Sequence, residues 1–234
     1  MDIAYIDQLS NNGEGYLHRS SVLSKILLTI SMIVSIIVSD NLLKLISILM
    51  LLILLNIVNK LPLRRILHFA LYPVFFSLVF GFTRFVYSVE AGFIVILKAV
   101  DAAMTMLLLV TTTPYTEIFA FFRLLLPGIV VDGMFFTYRI FFILLEKIQR
   151  SLTIIKLRGG LRPYNIIFNI KNLAGVIGVL FINAFDMSER MYNIYSLRGY
   201  EGKIISDNKW FKFKRLDYIP IGISVIIIAM VVFF

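Results

Sequence analysis

What most constrains this chain is a series of apolar runs too long for an ordinary soluble fold. Residues 22–38, 42–58, 67–87, 91–111 and 218–234 carry almost no charge, and each run is 17–21 residues long. A bilayer core about 30 Å thick takes about 20 apolar residues of helix, and only helices or closed barrels satisfy their own backbone polar groups there. The chain is 59% hydrophobic with a mean hydropathy of +0.90, beyond the usual range of soluble domains. These runs predict an all-α polytopic membrane protein with about five transmembrane helices.

Charge then orders the runs. Residues 1–21 are polar, and Asn11, Asn12, Gly13 and Gly15 mark a loop. Asp2, Asp7 and Glu14 precede the first apolar run without a small-residue cleavage site, so a secretory signal peptide is not expected. Lys60, Arg64 and Arg65, set around Pro62, make a basic connection after the second run. Basic excess beside spans marks the cytoplasmic side, which predicts a cytoplasmic amino terminus and an external carboxy terminus. Pro73 falls inside the third run, where neighbouring helices can satisfy the backbone it frees. Between residues 112 and 215 lie 15 of the 23 Lys and Arg residues but only 7 of the 14 Asp and Glu. That balance predicts a cytoplasmic or interfacial domain of amphipathic helices over 112–216, between a four-helix membrane domain at 22–111 and a final span at 217–234. Its charges are threaded through apolar helices rather than gathered in one patch, so nucleic acid is not the expected partner. Trp210, the one tryptophan, is placed like an interfacial anchor.

Within 112–216 one pattern occurs twice, forty residues apart. Glu146, Arg150, Ile154 and Leu157-Arg158-Gly159 align without a gap with Asp186, Arg190, Ile194 and Leu197-Arg198-Gly199. Acid and arginine four apart share a helix face in the favourable order. An arginine followed by glycine suits a helix end, where the cation meets the negative end of the helix dipole and glycine takes the left-handed turn. A single copy would read as a helix stop. Two copies in matched register, each with its upstream acid and arginine, read as a bivalent docking device on two long helices ending at 158 and 198.

The stretches leading to the two copies are amphipathic. Arg139, Glu146, Arg150, Thr153 and Lys156 draw one polar stripe; Asn183, Asp186, Arg190 and Asn193 draw the other. Ala174, Gly175, Gly178 and Ala184 are small enough to admit a close helix neighbour. Upstream, Thr113 is the expected N-cap and Pro114 the first residue of a helix too short to span, with Glu117 in its early turn.

Lys98 and Asp101 lie three apart on one face of the fourth run. Ionisable groups at membrane depth are costly and raise the question of function. Two readings stand with equal weight: a mutually neutralising structural pair, or a transport site. No cysteine is present, so disulfides and thiolate metal sites are excluded. His18 and His68 are far apart and have no ligand spacing around them; they read as surface or interfacial residues. No HExxH helix, phosphate-binding glycine loop or nucleophile elbow occurs, and no metal site is expected.

The runs, the amphipathic helices and the paired arginines together resemble the transmembrane T component of energy-coupling-factor (ECF) transporters, in particular the CbiQ type of cobalt and nickel uptake systems. The resemblance covers nearly the whole chain. Its most specific part is the pair of X-Arg-X motifs, Leu157-Arg158-Gly159 and Leu197-Arg198-Gly199. Thr112-Thr113-Pro114 with Thr116-Glu117, Tyr138-Arg139 and Ser188-Glu189-Arg190 support it. The family often has alanine before the motif arginine, where this chain has leucine twice.

The resemblance implies that Arg158 and Arg198 each dock into a groove on one of two cytoplasmic ABC-type ATPase subunits. Glu146, Arg150, Asp186, Glu189 and Arg190 would support the helices that carry them. The helices would pass movement to a membrane S component, CbiM-like or vitamin-specific. It further implies that this chain binds no cofactor, since ATP and magnesium belong to the ATPases, and that it is no enzyme. Two other readings use the Lys98 and Asp101 pair: a membrane enzyme acting on an anionic lipid headgroup, or a self-sufficient carrier.

Overall fold

A computed structural model describes residues 2–13, 15–86, 88–162, 164–200 and 215–233 of the chain. Among these residues the secondary structure is helical: α1 Asp2–Asn12, α2 Tyr16–Arg19, α3 Val22–Val38, α4 Leu42–Val58, α5 Leu63–Phe85, α6 Val89–Thr112, α7 Tyr115–Phe122, α8 Gly128–Leu157, α9 Ile166–Leu197 and α10 Tyr218–Phe233. A single 3-10 turn, Arg215–Asp217, precedes α10. The chain is an all-α polytopic membrane protein. Trp210, the expected interfacial anchor, lies outside the described residues.

The helices fall into two compact units, one of Met1–Phe121 with Asp207–Phe234, the other of Phe122–Ser206. In the first unit, helices occupy all five apolar runs. Leu28, Met32 and Ile36 recur every fourth residue on α3, and Leu45, Ile48, Leu52 and Leu55 follow the three-and-four rhythm on α4, so each set forms a single stripe. These stripes meet Ile66 and Ala70 of α5, Met104 and Leu108 of α6 and Ile227 of α10 in one core. Their opposite faces are apolar and exposed, as at Leu43, Met50, Phe75 and Phe82, which fits a lipid surround.

One end of this bundle is closed by buried polar groups. The Lys25 ammonium donates to the Thr112 carbonyl at 2.9 Å. The Asp217 carboxylate accepts from the Ser21 N–H at 2.6 Å and from the Ser24 hydroxyl at 3.2 Å. Asn59 accepts from the Leu17 N–H at 2.8 Å. Four helix ends and the short α2 are thereby tied together.

Two expectations are corrected here. Thr113 does not cap α7. The Thr111 and Thr112 hydroxyls bond back to the Leu107 and Leu108 carbonyls at 2.7 Å, and α6 stays helical through Thr112. Thr113 is then the extended C-cap of α6, and its buried hydroxyl has no hydrogen-bond partner. Pro114 precedes α7 rather than opening it, its carbonyl accepting from the Ile118 N–H at 3.2 Å.

Nor do Lys98 and Asp101 pair. The Lys98 ammonium lies 3.1 Å from Asp40 and 3.1 Å from the Ile37 carbonyl. Asp101 is fully buried, with neither carboxyl oxygen hydrogen-bonded. Side chains on a helix lean toward its N-terminus, so the long lysine stem points away from Asp101 and toward the α3–α4 turn.

By length and composition, α5, α6, α8 and α9 are long and apolar enough to cross a membrane. The helices α3, α4 and α10 are shorter apolar helices, at the lower limit for a span.

Candidate functional site

The paired motifs fall at the ends of α8 and α9, the two long helices of the second unit. These helices pack antiparallel. Asp132 meets Tyr200, Phe136 meets Tyr195, Lys147 meets Asn183 and Gly160 meets Asn172, so positions rise on one helix as they fall on the other. Arg198 is therefore level with the first turns of α8, while Arg158 closes its far end. At 1.5 Å per residue the two arginines are about 35 Å apart along the pair. The repeat is bivalent, but neither arginine can share an acceptor with the other.

The two ends have the same backbone. Arg158 and Arg198 are the C-caps, with φ, ψ of −82°, 8° and −88°, 7°. Gly159 and Gly199 follow in the left-handed region, with φ of 70° and 77°. The Gly159 N–H bonds the Lys156 carbonyl at 3.2 Å and the Gly160 N–H bonds the Ile155 carbonyl at 2.9 Å. In the second copy the Gly199 N–H bonds Ser196 at 3.0 Å and the Tyr200 N–H bonds Tyr195 at 2.9 Å. Each is a complete Schellman motif, which satisfies two orphan carbonyls and turns the chain sharply off the helix axis.

What these ends present is exposed. Leu157 and Leu197 are 82% and 89% accessible, and both arginines are exposed. Among the described residues, neither guanidinium has a hydrogen-bond or ion-pair partner. A guanidinium offers a planar fork of donors that stays charged when water is removed, and here each is preceded by a bare leucine. Chemically, each end can fill an apolar groove that carries a carboxylate or free carbonyls.

The supporting residues divide. Glu146 and Arg150 form an ion pair at 2.5 Å on the solvent side of α8. Asp186 and Arg190 are both exposed, and among the described residues no ion pair joins them; aspartate is a methylene shorter than glutamate. Glu189 is exposed as well. Ala174, Gly175 and Gly178 face outward, and nothing lies within 4 Å of a side chain built at either glycine, so these small residues do not admit α8.

Five residues at the α9 end were not singled out by the repeat. The Tyr200 hydroxyl donates to Asp132 at 3.0 Å, and Arg139 donates to the Tyr195 hydroxyl at 3.1 Å. Phe136 packs on both tyrosines, with ring centroids 4.6 Å from Tyr195 and 5.6 Å from Tyr200. The signal in the sequence was the residue after each motif, glycine in one copy and tyrosine in the other. Among the described residues, no group of three or more His, Asp or Glu side chains is placed to hold a metal ion.

Comparison with known proteins places this region. The chain matches the family model CbiQ, cobalt transport protein, over residues 87–210. It is also similar to the uncharacterized protein MJ1089 of Methanocaldococcus jannaschii, 33% identical over 129 residues, which is 54% of this chain and 47% of that protein. The chain thus spans about half the length of this curated relative.

Proposed function

The protein belongs to the CbiQ family of cobalt transport proteins, and from that premise, which makes it a membrane transport component, we propose that it is the transmembrane coupling subunit of an ECF-type importer. It passes movement from two cytoplasmic ATPase subunits, which bind ATP and magnesium, to a membrane S component that binds the substrate. The chain itself is not catalytic. Cobalt is the favoured substrate, nickel the next, with the S component then CbiM-like; a vitamin-specific S component would make it a T component for vitamin uptake. The amino terminus and residues 112–216 face the cytoplasm.

One observation carries this reading: two helix ends of matching backbone, each presenting an exposed Leu-Arg-Gly whose guanidinium has no partner among the described residues. Their separation of about 35 Å calls for two acceptors, which a paired ATPase supplies. Two rigidly linked contacts also bind with an avidity that neither gives alone. Arg158→Glu combined with Arg198→Glu is expected to abolish co-purification with the ATPases while membrane insertion persists. Each single change is expected to weaken binding by about 2–5 kcal/mol, the range for breaking a buried charge pair. Undiminished ATPase binding by the double variant would refute the assignment.

A further inference from the structure

The two docking ends share a backbone but are held differently. At the α9 end the chain turns into Tyr200, whose ring packs 5.6 Å from Phe136 and 6.2 Å from Tyr195. Its hydroxyl donates to Asp132, a residue of α8 that is only 1% exposed. Burial first, and then the Asp132 carboxylate, push the Tyr200 phenol above its ordinary range, so the hydroxyl keeps the proton it donates. One turn back, Tyr195 rests on Phe136 and accepts from Arg139. Two hydrogen bonds and two ring contacts thus tie the α9 end to the beginning of α8, and a third ring contact joins Tyr195 to Tyr200.

The α8 end is held by other groups: the Arg162 N–H donates to Asn169, whose amide donates back to the Arg162 carbonyl, both at 2.7 Å, and the Arg162 guanidinium lies 4.7 Å over the Phe168 ring. The residue after its motif is Gly160, which has no side chain, and the position is too tight for one: a Cβ there would lie 2.7 Å from the Ile155 side chain. The Asn172 amide also donates to the Gly160 carbonyl at 2.7 Å. The difference is not one of exposure, since Leu157 and Leu197 are both almost bare.

We propose that Tyr200 is a positioning residue for Arg198. Its bond to Asp132 and its ring contacts set the α9 docking end before any partner arrives. This rests on the docking role proposed above. An end already ordered loses less conformational freedom on binding.

The chain contains no cysteine, so single cysteines can carry spin labels without background. Labels at Leu157→Cys and Leu197→Cys, read by electron paramagnetic resonance on the full chain in detergent without ATPase, report the two ends separately. In the parent the 197 label is expected to tumble at least twofold more slowly than in Tyr200→Ala. Tyr200→Phe, which removes only the hydroxyl, and Tyr200→Ala should both release the 197 label and leave the 157 label unchanged. Asp132→Asn, which keeps an acceptor, should preserve the slow motion that Asp132→Leu loses. A 197 label indifferent to both Tyr200 variants overturns the proposal. ATPase binding is measured separately. Loss of binding in Arg198→Glu with full binding in a loosened Tyr200→Ala would also overturn the positioning role, while leaving the docking role intact. Full binding in Arg158→Glu with Arg198→Glu would instead remove the docking role.

Discussion

Lys98 shows what side-chain direction adds to spacing. Three residues on a helix put Lys98 and Asp101 on one face, but the lysine leans toward the helix start and finds Asp40, 58 residues away in sequence. The Asp40 side chain is 91% exposed, so the pair is worth about 0–1 kcal/mol. Lys98→Met is therefore expected to shift thermal stability by less than that, and to leave substrate uptake by the assembled transporter intact. Loss of uptake with assembly preserved would revive the carrier reading. His18 carries a pH-dependent effect. Its Nε2 lies 3.1 Å from the Thr111 carbonyl and 3.3 Å from that of Leu9, which suits a neutral ring donating from Nε2, while the buried Nδ1 has no hydrogen-bond partner. Burial first and then Lys25 hold its pKa below the ordinary 6.5, against the two backbone contacts, which raise it. The unfolded chain therefore takes up a proton at higher pH than the folded one. The stabilisation is complete above pH 6.5 and falls as the pH drops from there through the folded value. Melting curves of the purified protein should shift downward across that window, and His18→Gln should flatten the dependence. The sequence marked His18 as a surface or interfacial residue, because nothing in its neighbourhood shows that a carbonyl 93 residues away will receive it.

At the scale of elements, helix ends were more legible than helix beginnings. Leu-Arg-Gly marked both ends correctly, because a left-handed residue after a C-cap is a local requirement that glycine alone meets cheaply. The starts lie further upstream than the polar pattern indicated. Asn165 caps α9 by accepting from the Phe168 N–H at 3.1 Å, so the helix begins at Ile166, eight residues before Ala174, the first position that the sequence pattern marked on it. Its first turns carry Ile166, Ile167 and Ile170, all exposed, and an all-apolar stretch shows no amphipathic stripe to read. The caps themselves can be tested. Nothing lies within 4 Å of a Cβ built on Gly159 or Gly199, so replacing either with alanine leaves only the left-handed backbone to resist it. Gly159→Ala and Gly199→Ala should each destabilise the helix end by about 1–2 kcal/mol, and asparagine at the same positions by less. Because the turn sets where the arginine points, ATPase binding should fall in the same order, alanine below asparagine below glycine. A binding constant that ignores all four substitutions would separate the arginines from the turns that hold them.

For the whole molecule the decisive question is how α8 and α9 meet the membrane. Hydropathy identified the class of protein at once, but it ranks these two helices with the spans, at 30 and 32 residues. The paired arginines point the other way, and the antiparallel packing makes the two readings exclusive. If the pair crossed the bilayer, Arg158 and Arg198, about 35 Å apart at opposite ends of it, would emerge on opposite sides. No cytoplasmic motor could then hold both. Docking requires the pair to lie along the membrane, its exposed Ile177, Phe181, Ile182 and Phe185 covered by lipid or by a partner subunit and both ends in the cytoplasm. The cysteine-free background permits a direct test: Leu157→Cys and Leu197→Cys, introduced singly, are exposed to a membrane-impermeant maleimide in sealed inverted vesicles, which present the cytoplasmic face outward. Both positions are expected to react at comparable rates before any detergent is added. Protection of one until the vesicles are opened would mean a transmembrane hairpin, and the coupling role would fall together with the cytoplasmic placement of residues 112–216.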